Sequence, residues 1–588
     1  MKFPTSNGKS KIASFFNTLF VNYHRPNFIR KIERVIEKMN LSEKIFFGFF
    51  ALVFVVSGLT LLFRLQSSFL IEVPAFGGSF TEGLIGSPRF INPVLAVSDT
   101  DKDMTAVIYS GLLKASEKGG FEPDLAKSYE IKEDGTVYDF IIKDNVYFHD
   151  GKEITADDIV FTIEKILDPV IKSPKKSNWE GVTVEKISDR EIRFILKKSY
   201  VPFLSALTLG ILPKHIWENV SSEEFPFSQF NIDPIGSGPY KVEKIVRNSG
   251  GIPTTITLSS WSKYALGRPK IKSIVFKFFQ NETALLKAYG DKTIDSAAGL
   301  SQTAAKSLID KNDIIDQSSL PRVFGVFLNQ NIAPVFLNKE IREALEMATP
   351  KKRIVDEVLL GFGKVLNGPT PANIETNPGE ATADASTTRA YLSKNGWKEN
   401  KDGILEKKTK TGTTVFQFSI STSDAPELKR TAEILQEAWQ KIGASVSIKV
   451  FEAGDLSQNI IKPRKYDALL FGEVVGEDSD LYPFWHSSER NDPGLNISLY
   501  ANITVDKALE DIQKETDEQK KTGEKEIIFA EIHKDIPVIF LFSPNFLYAP
   551  APQVKNISLK RVSSQSERFL SINKWFIETD KIWKFLSE

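Results

Sequence analysis

Residues 121–169 read FEPDLAKSYEIKEDGTVYDFIIKDNVYFHDGKEITADDIVFTIEKILDP, and no other stretch narrows the fold as far. Tyr129-Glu130-Ile131 and Val137 to Ile142 carry the branched and aromatic residues that suit a pleated surface. Asp134-Gly135 between them predicts a tight hairpin turn, because glycine reaches φ > 0 and aspartate can bond its own backbone. Asp150-Gly151 predicts a second turn after Val146–His149. Thr155 is placed to cap a helix, with Asp157 and Asp158 in its first turn at the positive end of the dipole. Ile159, Val160, Ile163, Ile166 and Leu167 recur at helical spacing, and Pro169 stops the run. The acids of this stretch are expected to make turns and a cap, not to hold a ligand.

A second constraint is Ile45 to Phe63, nineteen residues without a charge, flanked by Lys44 and Arg64. A helix of that length covers roughly 28 Å, close to the ~30 Å hydrocarbon core of a bilayer. A cleavable signal peptide fits less well: the basic region before the run is long, and no A-x-A site follows in RLQSSFLIEVPAFGG. Residues 1–44 hold nine Lys/Arg and three Asp/Glu (+6), leaving 66 basic and 72 acidic residues (−6) beyond them. The positive-inside rule therefore puts residues 1–44 in the cytoplasm and the large body outside, with 45–64 a single transmembrane anchor. Residues 28–40 form a basic amphipathic pattern, equally an interfacial helix or an ordinary solvated one. Residues 65–79 read as a linker. An acidic body disfavours nucleic acid. The absence of cysteine excludes disulfides, thiol catalysis and a lipidated anchor.

The pattern EPDLAKSYEI…EDG…YFHDGKEITADDIVFTIEKILDP resembles the large extracytoplasmic solute-binding proteins of ABC importers, the peptide/nickel-binding family 5 class. Further landmarks are similar to that family: the opening FTEGLIGSPRFINPVLAVSDTDKDMTAVIYSGLLK, IGSGPYKVEKIV at 235–246, the helices from Asn338 to Pro371, and YDALLFGEVVGEDSDLYPFWHSSE at 466–489. The resemblance runs from about Phe80 to the C-terminus. It implies an α/β fold of the two-lobed periplasmic-binding-protein type (type II, large three-subdomain form), here preceded by one N-terminal transmembrane helix. The expected parts are 80–110, 197–321 and 537–588 for lobe I, 111–196 for its accessory subdomain, and 322–536 for lobe II.

No catalytic pattern survives inspection. The five histidines, His24, His149, His215, His486 and His533, lack metal-ligand spacing, and there is neither HExxH nor GxSxG. Neither a cofactor nor a metal is expected. The GSG of 236–238 is not a phosphate loop, since no Lys-Ser/Thr completes it. By the resemblance, Arg89 and Phe90 are candidates to line the ligand cleft where the first strand ends. Peptide binders of the family hold the ligand ammonium with a carboxylate in the loop at 473–485. Here Gly472 is followed by Glu473, not by the usual tryptophan, so Glu473 or Asp478 is the expected anchor; Asp480 reads as a cap. Tyr482 and Trp485 are aromatic cleft candidates, whereas Trp217, Trp397 and Trp439 read as packing. The expected function is capture of oligopeptide, or another small solute, by closure of the lobes of a monomer, followed by delivery to ABC permease subunits. A ligand-sensing receptor of the same fold is the alternative, with only residues 1–44 available to carry its output.

Overall fold

The computed structural model describes residues 31, 34–36, 38–68, 70–117, 119–198, 203–371, 384–409, 412–475, 480–515, 517–560 and 562–583. Six of the thirteen residues of the expected basic helix at 28–40, and Asp478, lie outside them. The chain divides into two units, Met1–Val73 with Thr579–Glu588, and Pro74–Glu578.

In the first unit, the helix Leu41–Ser68 begins at a reciprocal cap. Asn40 Oδ1 accepts the Glu43 N–H and Glu43 Oε2 accepts the Asn40 N–H, both at 2.9 Å. Its apolar window, Leu41–Leu61, is long enough to cross a membrane, and its side chains are turned outward: Phe54 is 80% exposed. The helix overruns the expected end at 64. The expected linker 65–79 also contains the strand Leu70–Pro74, which pairs with Thr579–Trp583. Its partner lies five hundred residues away, beyond the reach of any local pattern.

In the second unit, residues 121–169 fold as their turns and cap require. Strands Ala126–Lys132, Val137–Ile142, Glu191–Leu196 and Val182–Ser188 form an antiparallel sheet in that order. A 3-10 turn, Glu133–Gly135, closes the first hairpin, with Gly135 at φ 85°. The helix Ala156–Leu167 starts at a capping box: Thr155 N–H donates to Asp158 Oδ2 at 2.9 Å. Asp158 Oδ1 also accepts the Lys214 N–H at 2.9 Å, which ties the cap to the next segment. Asp139 lies between Arg193 (2.6 and 2.9 Å) and Lys132 (2.9 Å), and the Arg193 guanidinium is the chief cause that lowers its carboxyl to about 2. His149 is a clasp: its Nδ1 accepts the Gly236 N–H at 3.3 Å, so Nε2 donates to Gly238 O at 3.1 Å. Burial is the main cause that lowers its imidazole to about 4.

A twelve-stranded mixed sheet carries the rest. Its order is Ser445–Phe451, Gln417–Ser423, Ala468–Val474, Arg322–Leu328, Val538–Ala549, Ser296–Ala298, Gly77–Ile85, Ile271–Phe279, Pro253–Ser260, Tyr240–Arg247. Asp316–Ser319 and Gly363–Val365 also pair with Val538–Ala549. Pairs on both sides of that long strand are parallel, Gly77–Ile85 with Ile271–Phe279 and Gln417–Ser423 with Ser445–Phe451, as crossover connections demand.

The long strand joins two sets of cores. Ile539, Leu541 and Phe542 pack with Leu345, Phe418 and Trp439. Val538 and Phe540 pack with Leu469, Trp485 and Tyr500. Leu547 and Ala549 pack with Leu285 and Leu308, and Phe546 and Tyr548 with Phe80, Phe276 and Trp575. The change of core thus falls at Ser543–Asn545, inside the strand, several residues beyond the expected break at 536/537. There the strand is bonded to the segment that leads into Arg322–Leu328: Leu320 N–H donates to Pro544 O at 3.1 Å, and Ser543 Oγ donates to Leu320 O at 2.6 Å.

Candidate functional site

The helix Asp99–Ile108 organises the site. Ser98 caps it, its Oγ accepting the Asp101 N–H at 3.1 Å. Asp101 Oδ1 in turn accepts the N–H groups of Arg89 (2.8 Å) and Phe90 (2.9 Å), which fixes the loop after the first strand. At its other end the helix meets the GSG turn: a Cβ on Gly236 would stand 2.0 Å from the Ile108 carbonyl oxygen, and Gly238 N–H donates to that oxygen at 2.8 Å. Glycine is needed here for close backbone approach, not for a phosphate.

One side of this helix enters a fully paired buried network. Arg568 has no solvent exposure and donates to Glu82 Oε1 at 2.9 Å and to both Asp103 oxygens at 2.9 Å. Ser296 and Tyr548 hydroxyls complete Glu82 at 2.7 and 2.9 Å, and Gln565 Nε2 donates to Asp103 at 2.8 Å. Burial nevertheless raises the Asp103 pKa, since one guanidinium serves two carboxylates.

The other side lines a cavity of about 450 Å³. Lys102 and Thr105 come from the helix and Tyr109 from its C-cap, Asp124 from the EPDLA segment, and Lys175 and Trp179 from the stretch after the helix Ala156–Leu167. Tyr264, Ser566 and Phe569 complete the wall. The chemistry is mixed. Asp124 is 4% exposed and its Oδ1 has no hydrogen-bond partner, nor do the hydroxyls of Tyr109 and Ser110. Burial pushes the Asp124 carboxyl up to about 6, against the pull first of the neighbouring Ser110 hydroxyl, which lies near it without a well-formed hydrogen bond, and then of Lys114 and Lys143. Burial and the Asp124 charge together raise the Tyr264 phenol. A pocket of this size with a few convergent polar groups suits a small solute, and buried polar groups without partners are what a ligand would satisfy.

Of the six residues singled out in the sequence, Asp478 lies outside the described residues, and none of the other five lines this cavity. Arg89 is exposed, with its guanidinium 5.5 Å from the Phe90 ring centroid. Trp485, expected at the cleft, is 2% exposed and packs on Tyr500 and Phe540 as a core side chain. Tyr482 stacks on His486 at 4.1 Å, and Asp480 caps its N–H at 3.1 Å. Glu473 is a buried carboxylate on the strand Ala468–Val474, its pKa raised well above the usual range by burial and only partly offset by Arg464. The Arg464 side chain donates to the carbonyls of Ile461, Arg490 and Gly494, not to that acid. The cavity residues Lys102, Tyr109, Asp124 and Lys175 were not among the sequence candidates. Only Asp124 left a trace, as an acid inside a landmark segment.

Comparison with known proteins agrees with this architecture. Residues 120–492 match the family model of bacterial extracellular solute-binding proteins, family 5. The oligopeptide-binding protein AppA of Bacillus subtilis is 31% identical over 488 residues, covering 80% of this chain and 87% of that protein. Its structure in complex with a nonapeptide matches with a TM-score of 0.64 at 30% identity, over 86% of this chain and 100% of that one. NikZ of Campylobacter jejuni, solved in complex with Ni(L-His), matches at 26% identity with a TM-score of 0.65, over 85% and 99%.

Proposed function

The chain belongs to the bacterial extracellular solute-binding proteins of family 5, and we propose that it captures oligopeptides outside the cell from a membrane tether and hands them to ABC permease subunits. The family is one of solute-binding proteins of ABC importers, so the chain is a binder and not an enzyme. The observation that carries the peptide reading is the similarity to AppA, a protein bound to a nonapeptide in its structure, over nearly the full body of this chain. The lobe I cavity with its unpartnered Tyr109 and Asp124 is the proposed floor of the site. Glu473 is the proposed anchor for a peptide ammonium on lobe II: a buried carboxylate gains a strong charge-assisted bond when a cation reaches it. The proposed mechanism is hinge closure of a monomer about the paired crossings. The proposed division is lobe I from 80–321 and the C-terminal part, with lobe II between the crossings, the second of which is near Ser543–Asn545. The proposed tether is the helix Leu41–Ser68, with residues 1–44 in the cytoplasm.

The test uses the full chain in lipid nanodiscs with a nonapeptide library. Peptides should raise the melting temperature, co-purify intact and be identifiable by mass spectrometry. Release of cleaved fragments would turn the reading toward an enzyme, and a co-purifying non-peptide solute would overturn the ligand assignment. Glu473→Gln should weaken a free-amine peptide at least tenfold more than its N-acetylated form; equal loss for both removes Glu473 from the ammonium site. Affinity capture of permease subunits with the full chain checks delivery.

A further inference from the structure

The lobe I cavity contains an electrostatic imbalance. Five charged side chains line it: Lys102, Lys114, Asp124, Lys175 and Glu567. Three have their charge engaged. Lys114 pairs with Glu122 at 3.1 Å. Glu567 Oε2 accepts the Ser563 N–H at 2.7 Å. Asp124, its pKa raised by burial only to about 6, is ionised at neutral pH, and its charge is engaged by Lys114 and Lys143. Lys102 and Lys175 are both half-buried, and among the described residues neither ammonium has a carboxylate within ion-pair distance.

The acids nearest in sequence to Lys102 are already committed. Asp101 accepts from the Arg89 and Phe90 backbone, and Asp103 from Arg568 and Gln565. The two lysines also feel each other: burial, and then the Lys102 charge, lower the Lys175 pKa. Two like charges held together in a partly desolvated pocket cost free energy that an anion recovers, because Coulomb attraction strengthens as water is excluded.

We propose that Lys102 and Lys175 form an anion-holding corner of the cavity, and that the captured solute carries a carboxylate there. This rests on the solute-binding reading above. For a peptide, the carboxylate is either the free C-terminus or an acidic side chain.

Four pentapeptide probes separate these sources: penta-alanine with a free C-terminus, its C-terminal amide, and the amide with a central glutamate or a central glutamine. Affinities are measured by calorimetry on the full chain in nanodiscs. The expected result is that one carboxylate probe binds at least tenfold tighter than its neutral counterpart. That ratio should fall to within twofold of one in the double variant Lys102→Met, Lys175→Met, and return with Lys102→Arg, Lys175→Arg. A ratio near one in the wild type, or a ratio unchanged in the double methionine variant, overturns the proposal.

If no pentapeptide binds, the oligopeptide reading loses support and citrate serves as the probe. Citrate stabilisation that disappears in the double methionine variant sustains the lysine pair without peptides. Citrate with no effect on melting, or with the same effect on both proteins, overturns it.

Discussion

The helix Asp99–Ile108 borders two buried polar regions that differ in one respect. Around Arg568 every carboxylate oxygen of Glu82 and Asp103 has a donor. Around the cavity, Tyr109, Ser110 and Asp124 keep polar atoms without a partner. A buried polar group left unpaired costs about 1–3 kcal/mol, so the second region is maintained against stability, whereas the first locks the C-terminal segment to the first strand and the helix. The difference separates two kinds of buried polarity: paired charge holds the frame, and the unpaired atoms of Tyr109, Ser110 and Asp124 border the cavity proposed to take the solute.

Substitutions can break or sharpen that contrast. The largest effect is expected for Arg568→Met, which strands two carboxylates with no exposure to water; it should cost about 3–5 kcal/mol in denaturant unfolding. A loss below about 1 kcal/mol would place the network with the dispensable charges. Asp124→Asn should act in the opposite direction. The folded-state pKa of Asp124 is raised to about 6 from 3.8, so the wild type loses stability as pH rises from about 4 through 6, and the loss is complete above that. The variant should therefore gain on the order of 3 kcal/mol at pH 7.5 and nothing at pH 3.5, by melting at both pH values. An equal gap at the two pH values would contradict the unpaired-acid reading.

Gly236→Ala tests the frame from the backbone side. Its Cβ would overlap the Ile108 carbonyl at the end of the same helix, and a loss of about 1–3 kcal/mol is expected in denaturant unfolding, together with weaker solute binding. The smallest effect belongs to Asp139→Asn, whose partners Arg193 and Lys132 are part-exposed, so about 1 kcal/mol or less is expected. Here the folded pKa is lowered, so the contribution is present above about 4 and fades as pH falls toward 2. Melting of wild type and variant should differ at pH 7 and converge at pH 2.

What was legible in the sequence follows physical range. Asp158, Thr155 and Gly135 act within a few residues of themselves, and their cap and turn were readable directly. Glu473 was singled out by its place in the loop that the family resemblance marks, and its burial on the strand Ala468–Val474 carried no local signal. Trp485 was not: an aromatic in a loop fits a core and a cleft equally well, and packing on Tyr500 and Phe540 decides it. The cavity left no local pattern, because its wall is gathered from separated segments between Pro93 and Asn573. A lysine on a short helix and another in the loop KSPKKSN are each ordinary until the fold brings them together.

The strand Val538–Ala549 has one more consequence. It belongs to the sheets of both lobes, and at Pro544, which has no N–H to give, it lies hydrogen-bonded beside Leu320. Two segments laced together at one point define an axle and resist sliding, because sliding would break the ladders on either side. Rotation about that axle is the freedom that remains. In the closure proposed for this protein, lobe II would therefore return to the same place against lobe I on every cycle. Such a clamp needs no search for alignment and would measure its cargo against a fixed gap.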